Sequence, residues 1–365
     1  MKLNKKFKDK TVLVTGHTGF KGAWLTAWLK LLGANVVGIS LDPPTIPSHY
    51  GALGLQGQIT DLRIDIRDRM SLVDAIIGVQ PDFVFHMAAQ SLVRRSYEDP
   101  VETWTINVLG TLHVLEALRG LNKPCTAVVI TSDKCYDNVE WVWGYRETDR
   151  LGGPDPYSGS KGAAELVISS HIKSFFSKEG SNVRIASARA GNVIGGGDWA
   201  QNRIIPDCVK AWSKGGMVEL RNPHSTRPWQ HVLEPLSGYL TLAINLSERA
   251  ELHGESFNFG PRAQQNHSVL ELVKQMALCW DQVQWLDVSN LIDGPYESGL
   301  LKLNCDKALY HLSWFAVLDF EETVRMTAEW YRDYYQNDSD TILKTNSQIE
   351  NYTLRAKQQG IGWAQ

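Results

Sequence analysis

The sequence predicts an α/β fold: a doubly wound parallel sheet with a smaller mixed α/β substrate-binding lobe beside it. Three observations carry this expectation. Short apolar runs recur through the first half: "TVLVTG" (11–16), "ANVVGISL" (34–41), "FVFHMAA" (83–89), "TAVVITS" (126–132) and "VRIASARA" (183–190). Helix-length stretches lie between them, over 23–33, 71–79, 100–120 and 157–176. The first run leads straight into a glycine-rich turn. Strands with no polar alternation are buried on both faces, and strand–helix alternation then means a parallel sheet under two helical layers.

Each element has its own justification. The turn after the first run spaces Gly16, Gly19 and Gly22 as G-x-x-G-x-x-G. A strand, a tight glycine turn and a helix start together make a Rossmann-type dinucleotide site. The turn lets the backbone approach a pyrophosphate, and the free N–H groups of the helix start receive it. A strand–helix turn without a ligand is the plainer alternative. The second strand ends in Asp42, whose carboxylate can accept from the adenosine ribose hydroxyls and repel a 2′-phosphate. That favours NAD over NADP, the alternative being a turn aspartate before Pro43 and Pro44. Asp65 in "LRIDIRD" could reach the adenine amine or cap the helix that follows.

Beyond about residue 190 the alternation weakens. Glycines cluster in "GNVIGGGDWA" and tryptophans become frequent. Residues 1–190 are therefore expected to form the nucleotide-binding domain, with a segment near 230–255 returning to it, and 191–365 mainly the substrate lobe. The thirteen tryptophans suit aromatic-rich packing without saying against what. The polar tail over 337–365 has no placement from pattern alone.

Composition narrows the class. The chain has 365 residues, 43% apolar and 21% charged, with a formal net charge of −3. No overall field favours nucleic acid or an anionic membrane. Five widely spaced cysteines without a C-x-x-C indicate neither a disulfide framework nor a metal site. No apolar h-region follows the basic N-terminus, and no run approaches the ~18 apolar residues of a membrane span. A reducing cytoplasm is the expected location.

The chemistry-bearing residues follow the fourth of these apolar runs. In "TSDKCYDN" (131–138) an acid, Asp133, and a base, Lys134, stand side by side after Ser132. Read alone, they are a solvated loop pair. "YSGSK" places Tyr157 and Lys161 four residues apart, on one face of a helix. A lysine ammonium there, with a cationic cofactor ring, favours phenolate; lowering a phenol from about 10 to about 7 takes about 4 kcal/mol. His86 reads as a packed histidine near the cofactor, and "WVWGYRETD" as a loop that shields the site or simply packs.

Taken together, the glycine turn, "HMAAQ" (86–90), Ser132 and Tyr157-x-x-x-Lys161 resemble the extended short-chain dehydrogenase/reductases over about residues 10–330. "RAGNVIGGGDW" (189–199) and "RPWQHVLE" (227–234) look like the substrate-lobe motifs of the nucleotide-sugar branch. The resemblance implies NAD held by Gly16, Thr18, Gly19, Phe20, Gly22, Asp42, Asp65, Ile66, Ala88 and Ala89. It also implies Ser132 and Tyr157 on the sugar's 4-hydroxyl and Lys161 on the nicotinamide ribose. Gln90 and Ser91 would line the sugar, and Asn192, Arg203 and Arg227 would hold the sugar or diphosphate. No metal is implied.

Within that branch, dTDP-glucose 4,6-dehydratases carry Asp-Glu after the catalytic Ser/Thr. This chain departs from them with Asp133-Lys134, which beside "GGGDWA" resembles the CDP-glucose 4,6-dehydratases. The implied reaction oxidises C4, removes water across C5–C6 and returns the hydride to C6. Asp133 would be the acid for the departing hydroxyl and Lys134 the C5 base or an electrostatic helper. A 4-epimerase, a dehydratase on another nucleotide sugar, a reductase, and an NAD-binding sensor or scaffold are the alternatives. The family also pairs the helices at 100–120 and 157–176 across a two-fold axis, so a homodimer or homotetramer is expected.

Overall fold

The computed structural model describes residues 2–177, 181–280, 283–289, 299–336 and 340–365. Seven strands form one parallel sheet: β1 (Thr11–Thr15), β2 (Asn35–Ser40), β3 (Thr60–Arg63), β4 (Phe83–His86), β5 (Cys125–Ile130), β6 (Val183–Arg189) and β7 (Ser256–Asn258). Their spatial order is β7-β6-β5-β4-β1-β2-β3, each neighbouring pair parallel. The order reverses between β1 and β4, and ligands of such sheets bind outside the carboxyl ends of the strands at that switch. Gly16, Met87 and Thr131 immediately follow β1, β4 and β5, so the candidate motifs all emerge at that edge.

Successive side chains of a strand face opposite ways, and the core divides accordingly. Val12, Val14, Phe83 and Phe85 join the larger cluster on one face; Leu13, Val84, Ala127 and Val129 join the other. Helices α1 (Phe20–Leu31) and α5 (Leu233–Glu248) cover the first face; α2 (Arg69–Val79), α3 (Thr111–Arg119) and α4 (Pro156–His171) cover the second.

Three details differ from the sequence reading. The stretch 100–120 is not one α-helix: Pro100–Trp104 passes through a π-helical turn, Thr105–Gly110, into α3. The sheet takes a seventh strand at Ser256–Asn258, just past the returning segment expected near 230–255. The tail is an ordered helix, α7 (Thr341–Gln358), lying beside α6 (Phe320–Gln336) and against α1. Its polar sequence is that of a helix with a single buried stripe, Thr345, Gln348, Ile349, Tyr352, Thr353 and Ala356. Tyr352 and Trp363 both pack on Trp28 of α1.

The substrate-side elements are short. Thr226–Arg227 pairs antiparallel with His267–Ser268, and Val218–Leu220 pairs parallel with Trp285–Asp287. Trp24 of α1 donates to the Gly196 carbonyl at 2.8 Å, joining the glycine-rich 195–197 loop to the nucleotide-binding layer.

Candidate active site

The glycine turn is built as its spacing predicts. Gly16 has φ +76°, and a Cβ there would stand 2.7 Å from the Ala88 nitrogen; one on Gly22 would stand 2.1 Å from the Gly16 carbonyl oxygen. Gly19 is the N-cap of α1 and offers no side-chain cap, so the first N–H groups of the helix keep their donors for a ligand. Thr18 closes the rim by donating to the Leu41 carbonyl at 3.0 Å and bonding Ser40 at 2.7 Å. Phe20 packs near His49. Ala88 donates its N–H to the Thr15 hydroxyl, and buried Ile66 accepts from His113 through its carbonyl. Ala89 follows in the same partly buried segment. The cradle fits a pyrophosphate.

Asp42 lies past the end of β2 with 93% of its side chain exposed, 3.7 Å from the Arg63 guanidinium. Asp65 is engaged by Arg67 (2.6 Å), whose guanidinium holds its carboxyl below the usual range against burial. The helix cap that Asp65 could have supplied is instead Asp68, which accepts from Ser71 at 3.2 Å.

Around the end of β5, Ser132 is the N-cap of a 3-10 turn over Asp133–Cys135. Its hydroxyl donates to the Asp133 carboxylate at 3.0 Å and accepts from the Lys134 N–H at 3.2 Å. Asn192, at φ +52°, donates to the other Asp133 oxygen at 3.2 Å. Asp133 is buried; Lys134 is half-buried, and its ammonium has no hydrogen bond among the described residues. The carboxyl rests over Gly191, where a Cβ would lie 1.9 Å from its oxygen.

Tyr157 and Lys161 are buried on α4. Burial pushes the Tyr157 phenol up to about 12; Ser132 and Arg203 oppose this and Asp133 adds to it. In the chain by itself burial favours the phenol; the expectation joined Lys161 to a cationic cofactor ring, whose charge belongs to the bound state. Burial brings Lys161 down to about 8. His86 bonds Thr15 at 2.7 Å and Thr111 at 3.1 Å and is kept neutral by burial, at about 3.

The substrate candidates divide. Arg203 pairs with Asp198 at 2.8 Å and donates to Ser91 at 3.3 Å, and its charge reaches Tyr157. Arg227 donates to the Thr226 and Gly299 carbonyls. Gln90 is turned inward: its amide bonds Leu92 and Thr103, and Asn107 bonds its backbone on both sides. Asn107 also donates to Ser160 of α4 at 2.9 Å, tying the 90-segment to the helix that bears Tyr157 and Lys161 from within the π-helical turn. The "WVWGYRETD" loop packs as an aromatic stack, Trp141 on Tyr145 on Tyr136.

Two residues here escaped the sequence reading. Asn107 gives no signal beyond a polar residue in an apolar run. Lys21 stands inside the glycine motif itself; its ammonium donates to Tyr239 at 3.0 Å. Burial and the charges of Lys161 and Arg203 bring it down to about 7, with Asp133 opposing. Cations thus gather round Asp133 and Tyr157, as an anionic ligand requires.

Comparison with known proteins agrees with this geometry. The family model described as GDP-mannose 4,6 dehydratase matches residues 13–327. A CDP-glucose 4,6-dehydratase of Salmonella typhimurium is 46% identical over 357 residues, 96% of this chain and 98% of that protein. Among solved structures, a UDP-glucose 4-epimerase of Thermotoga maritima aligns at TM-score 0.74 with 20% identity, covering 89% of this chain and all (100%) of that one. A Thermus thermophilus UDP-glucose 4-epimerase complex with NAD aligns at 0.72 with 24% identity, covering 88% and 99%. At those identities the two structures speak for the fold. The matched family model and the near-full-length relative, on this sheet and this site, place the chain in the GDP-mannose 4,6 dehydratase family.

Proposed function

We propose that the protein is an NAD-dependent nucleotide-sugar 4,6-dehydratase acting on CDP-glucose and forming CDP-4-keto-6-deoxyglucose. The observation that carries the reading is the Asp133–Lys134 pair, set at the carboxyl end of β5 in one turn with Ser132, with the Asp133 carboxylate within electrostatic reach of Tyr157. A 4-epimerase, which only removes and restores hydrogen at C4, needs no such pair. The Salmonella typhimurium relative's name supports cytidine as the base.

NAD, when bound, supplies the hydride acceptor for C4 and the donor for C6. Tyr157, with Ser132, takes the proton of the 4-hydroxyl, and Lys161 orients the nicotinamide ribose. Once C4 is a ketone, the C5 proton is acidic. Lys134 removes it or steadies the enolate, and Asp133 protonates the departing C6 hydroxyl. Arg203 and Arg227 offer cations to the diphosphate, Ser91 and Asn192 lie toward the sugar, and Asp42 selects NAD. Residues 1–190, with the returning segments, hold the cofactor; 191–365 mainly hold the sugar nucleotide.

The protein works in the cytoplasm as a homodimer or a dimer of dimers. Among the described residues no helix is long and apolar enough to cross a membrane. Val101 (71% exposed), Trp104, Leu109, Leu166 (62% exposed) and Phe175 leave apolar surface on the two helical runs that the family pairs.

Incubation with NAD and, separately, CDP-, UDP-, GDP- and dTDP-glucose tests the reading. The alkaline absorbance of a 4-keto-6-deoxy sugar is expected with CDP-glucose. Formation of the galactose epimer without that absorbance would replace the dehydratase with an epimerase. Product from another nucleotide alone would replace the base.

A further inference from the structure

Behind the catalytic helix lies a buried ion pair to which the proposed chemistry gives no task. Glu165 and Arg189 are each 3% exposed and meet in a two-pronged contact, Nε to Oε1 and Nη2 to Oε2, both at 2.9 Å. Glu165 also accepts the Thr131 hydroxyl at 2.5 Å and the Ser187 hydroxyl at 2.9 Å. Arg189 donates further to the Tyr136 phenol oxygen at 2.8 Å and the Glu147 carbonyl at 3.0 Å. Withdrawing two charges from water is so unfavourable that such a pair is a weak source of stability. Its placement calls for another explanation.

That placement is specific. Glu165 follows Lys161 by one helical turn and Tyr157 by two, so the three share a face of α4. Thr131 is the residue before Ser132, Asp133 and Lys134, and Arg189 ends β6 just before Gly191 and Asn192. One carboxylate is therefore bonded to every segment that carries a side chain of the oxidation and elimination steps.

We propose that Glu165, held by Arg189, is a positioning residue of this site: it ties the Thr131–Lys134 turn to the helix bearing Tyr157 and Lys161, and it supplies the negative charge behind Lys161. The inference rests on the reading of Tyr157 and Lys161 as the oxidation pair. The groups that face Lys161 are Lys21 of α1, His86 of β4, Cys135 of the 3-10 turn and Glu165 of its own helix. His86 is neutral, and Lys21, brought down to about 7 by burial, has mostly shed its charge where Lys161 titrates. Burial pushes the Cys135 thiol well above its ordinary value, so it carries no charge where Lys161 titrates. Glu165 is the anion of the set; burial would raise its carboxyl, but Arg189 and the hydroxyls of Thr131 and Ser187 hold it below the usual range.

Glu165→Gln keeps the shape and removes the charge. Acetic anhydride labelling of Lys161, followed by mass spectrometry across pH, reads the lysine directly without turnover. The labelling midpoint is expected about one pH unit lower in Glu165→Gln, with recovery in Glu165→Asp. The basic limb of the burst of reduced nicotinamide on mixing with NAD and CDP-glucose moves the same way. A folded Glu165→Gln protein with an unmoved midpoint overturns the proposal, even if turnover is slower. If Arg189 left unpaired prevents folding, Glu165→Gln/Arg189→Met removes both charges, and a midpoint shift in the same direction but smaller, because a cation leaves with the anion, is required. A shifted midpoint in a protein that makes no keto sugar refutes the dehydratase reading and leaves the placement of charge behind Lys161 standing.

Discussion

Asn192 donates its side-chain amide to one oxygen of Asp133 at 3.2 Å while Ser132 donates to the other at 3.0 Å, so the carboxyl is gripped from both sides and cannot swing away. The strand end that supplies Ser132 and the turn that supplies Asn192 are brought together only by the sheet. The Asp133 carboxyl, the proposed acid, is thus oriented by two segments far apart in the chain.

Asp133→Asn should leave oxidation at C4 and exchange of the C5 hydrogen intact while slowing loss of water, so absorbance of reduced nicotinamide builds up. Lys134→Met should also stop solvent deuterium from entering C5. Losing a positioned acid or base costs on the order of 100- to 10,000-fold in rate. Rapid-mixing absorbance and mass spectrometry of the sugar read both; a loss of only a few-fold returns the pair to the status of a loop. Normal exchange in Lys134→Met would remove Lys134 as the base and leave Asp133 in place.

Gly191→Ala places a methyl 1.9 Å from the Asp133 carboxylate. The carboxyl must shift, and the variant should accumulate reduced nicotinamide as Asp133→Asn does. Since both act on one group, Gly191→Ala combined with Asp133→Asn should be little slower than Asp133→Asn alone. Independent multiplication of the two effects would show that Gly191 serves something else.

Asp42→Ala should reduce discrimination between NAD and NADP if the exposed carboxylate, 3.7 Å from Arg63, has the proposed task of repelling a 2′-phosphate. Binding titrations with both cofactors measure this. Equal affinities in the unmodified protein would remove Asp42 from the role.

Glu234 is buried beneath the C-terminal segments, accepting from the Val317 and Leu318 N–H groups and from the Tyr352 hydroxyl at 2.7–2.9 Å. Burial raises its carboxyl to about 7, against these hydrogen bonds. Between the ordinary value of 4.5 and about 7 the folded state holds a proton that the unfolded state has lost. Its contribution is therefore complete below the lower value and disappears as pH rises through the upper one. The fall in unfolding free energy from about pH 5 to about pH 8 should be larger in the unmodified protein than in Glu234→Gln by about 2–3 kcal/mol. Urea titrations at the two pH values provide the comparison.

Light scattering should give at least a dimer, and Leu109→Glu with Leu166→Glu should shift it toward monomer. A monomer in the unmodified protein at micromolar concentration would leave these apolar residues as ordinary surface.

Particular residues show what the sequence could and could not disclose. The runs ending at Thr15, Ser40, His86, Ile130 and Arg189 were readable because central parallel strands are apolar on both faces. "TDLR" of β3 sits at a sheet edge, half-covered and half-charged, and has no such signature. Asp133, Tyr157 and Lys161 stood out through adjacency and helical spacing. Glu165 lies on the same spacing one turn further, but nothing in its type singles it out without the Arg189 contact. Asn107, and Asp68 as cap in place of Asp65, depend on how the backbone turns, which residue type alone does not fix.

The docking of α7 on α1 bears on how the protein is made. The helix that opens on the glycine turn has Trp28 under Tyr352 and Trp363. While residues 341–364 are still inside the ribosome, that tryptophan and the face around it stay exposed on the nascent chain. Domains generally fold as units, and exposed apolar surface invites aggregation. The dinucleotide cradle over 16–22 is backed by a helix made long after it and gains that support only once α7 has emerged.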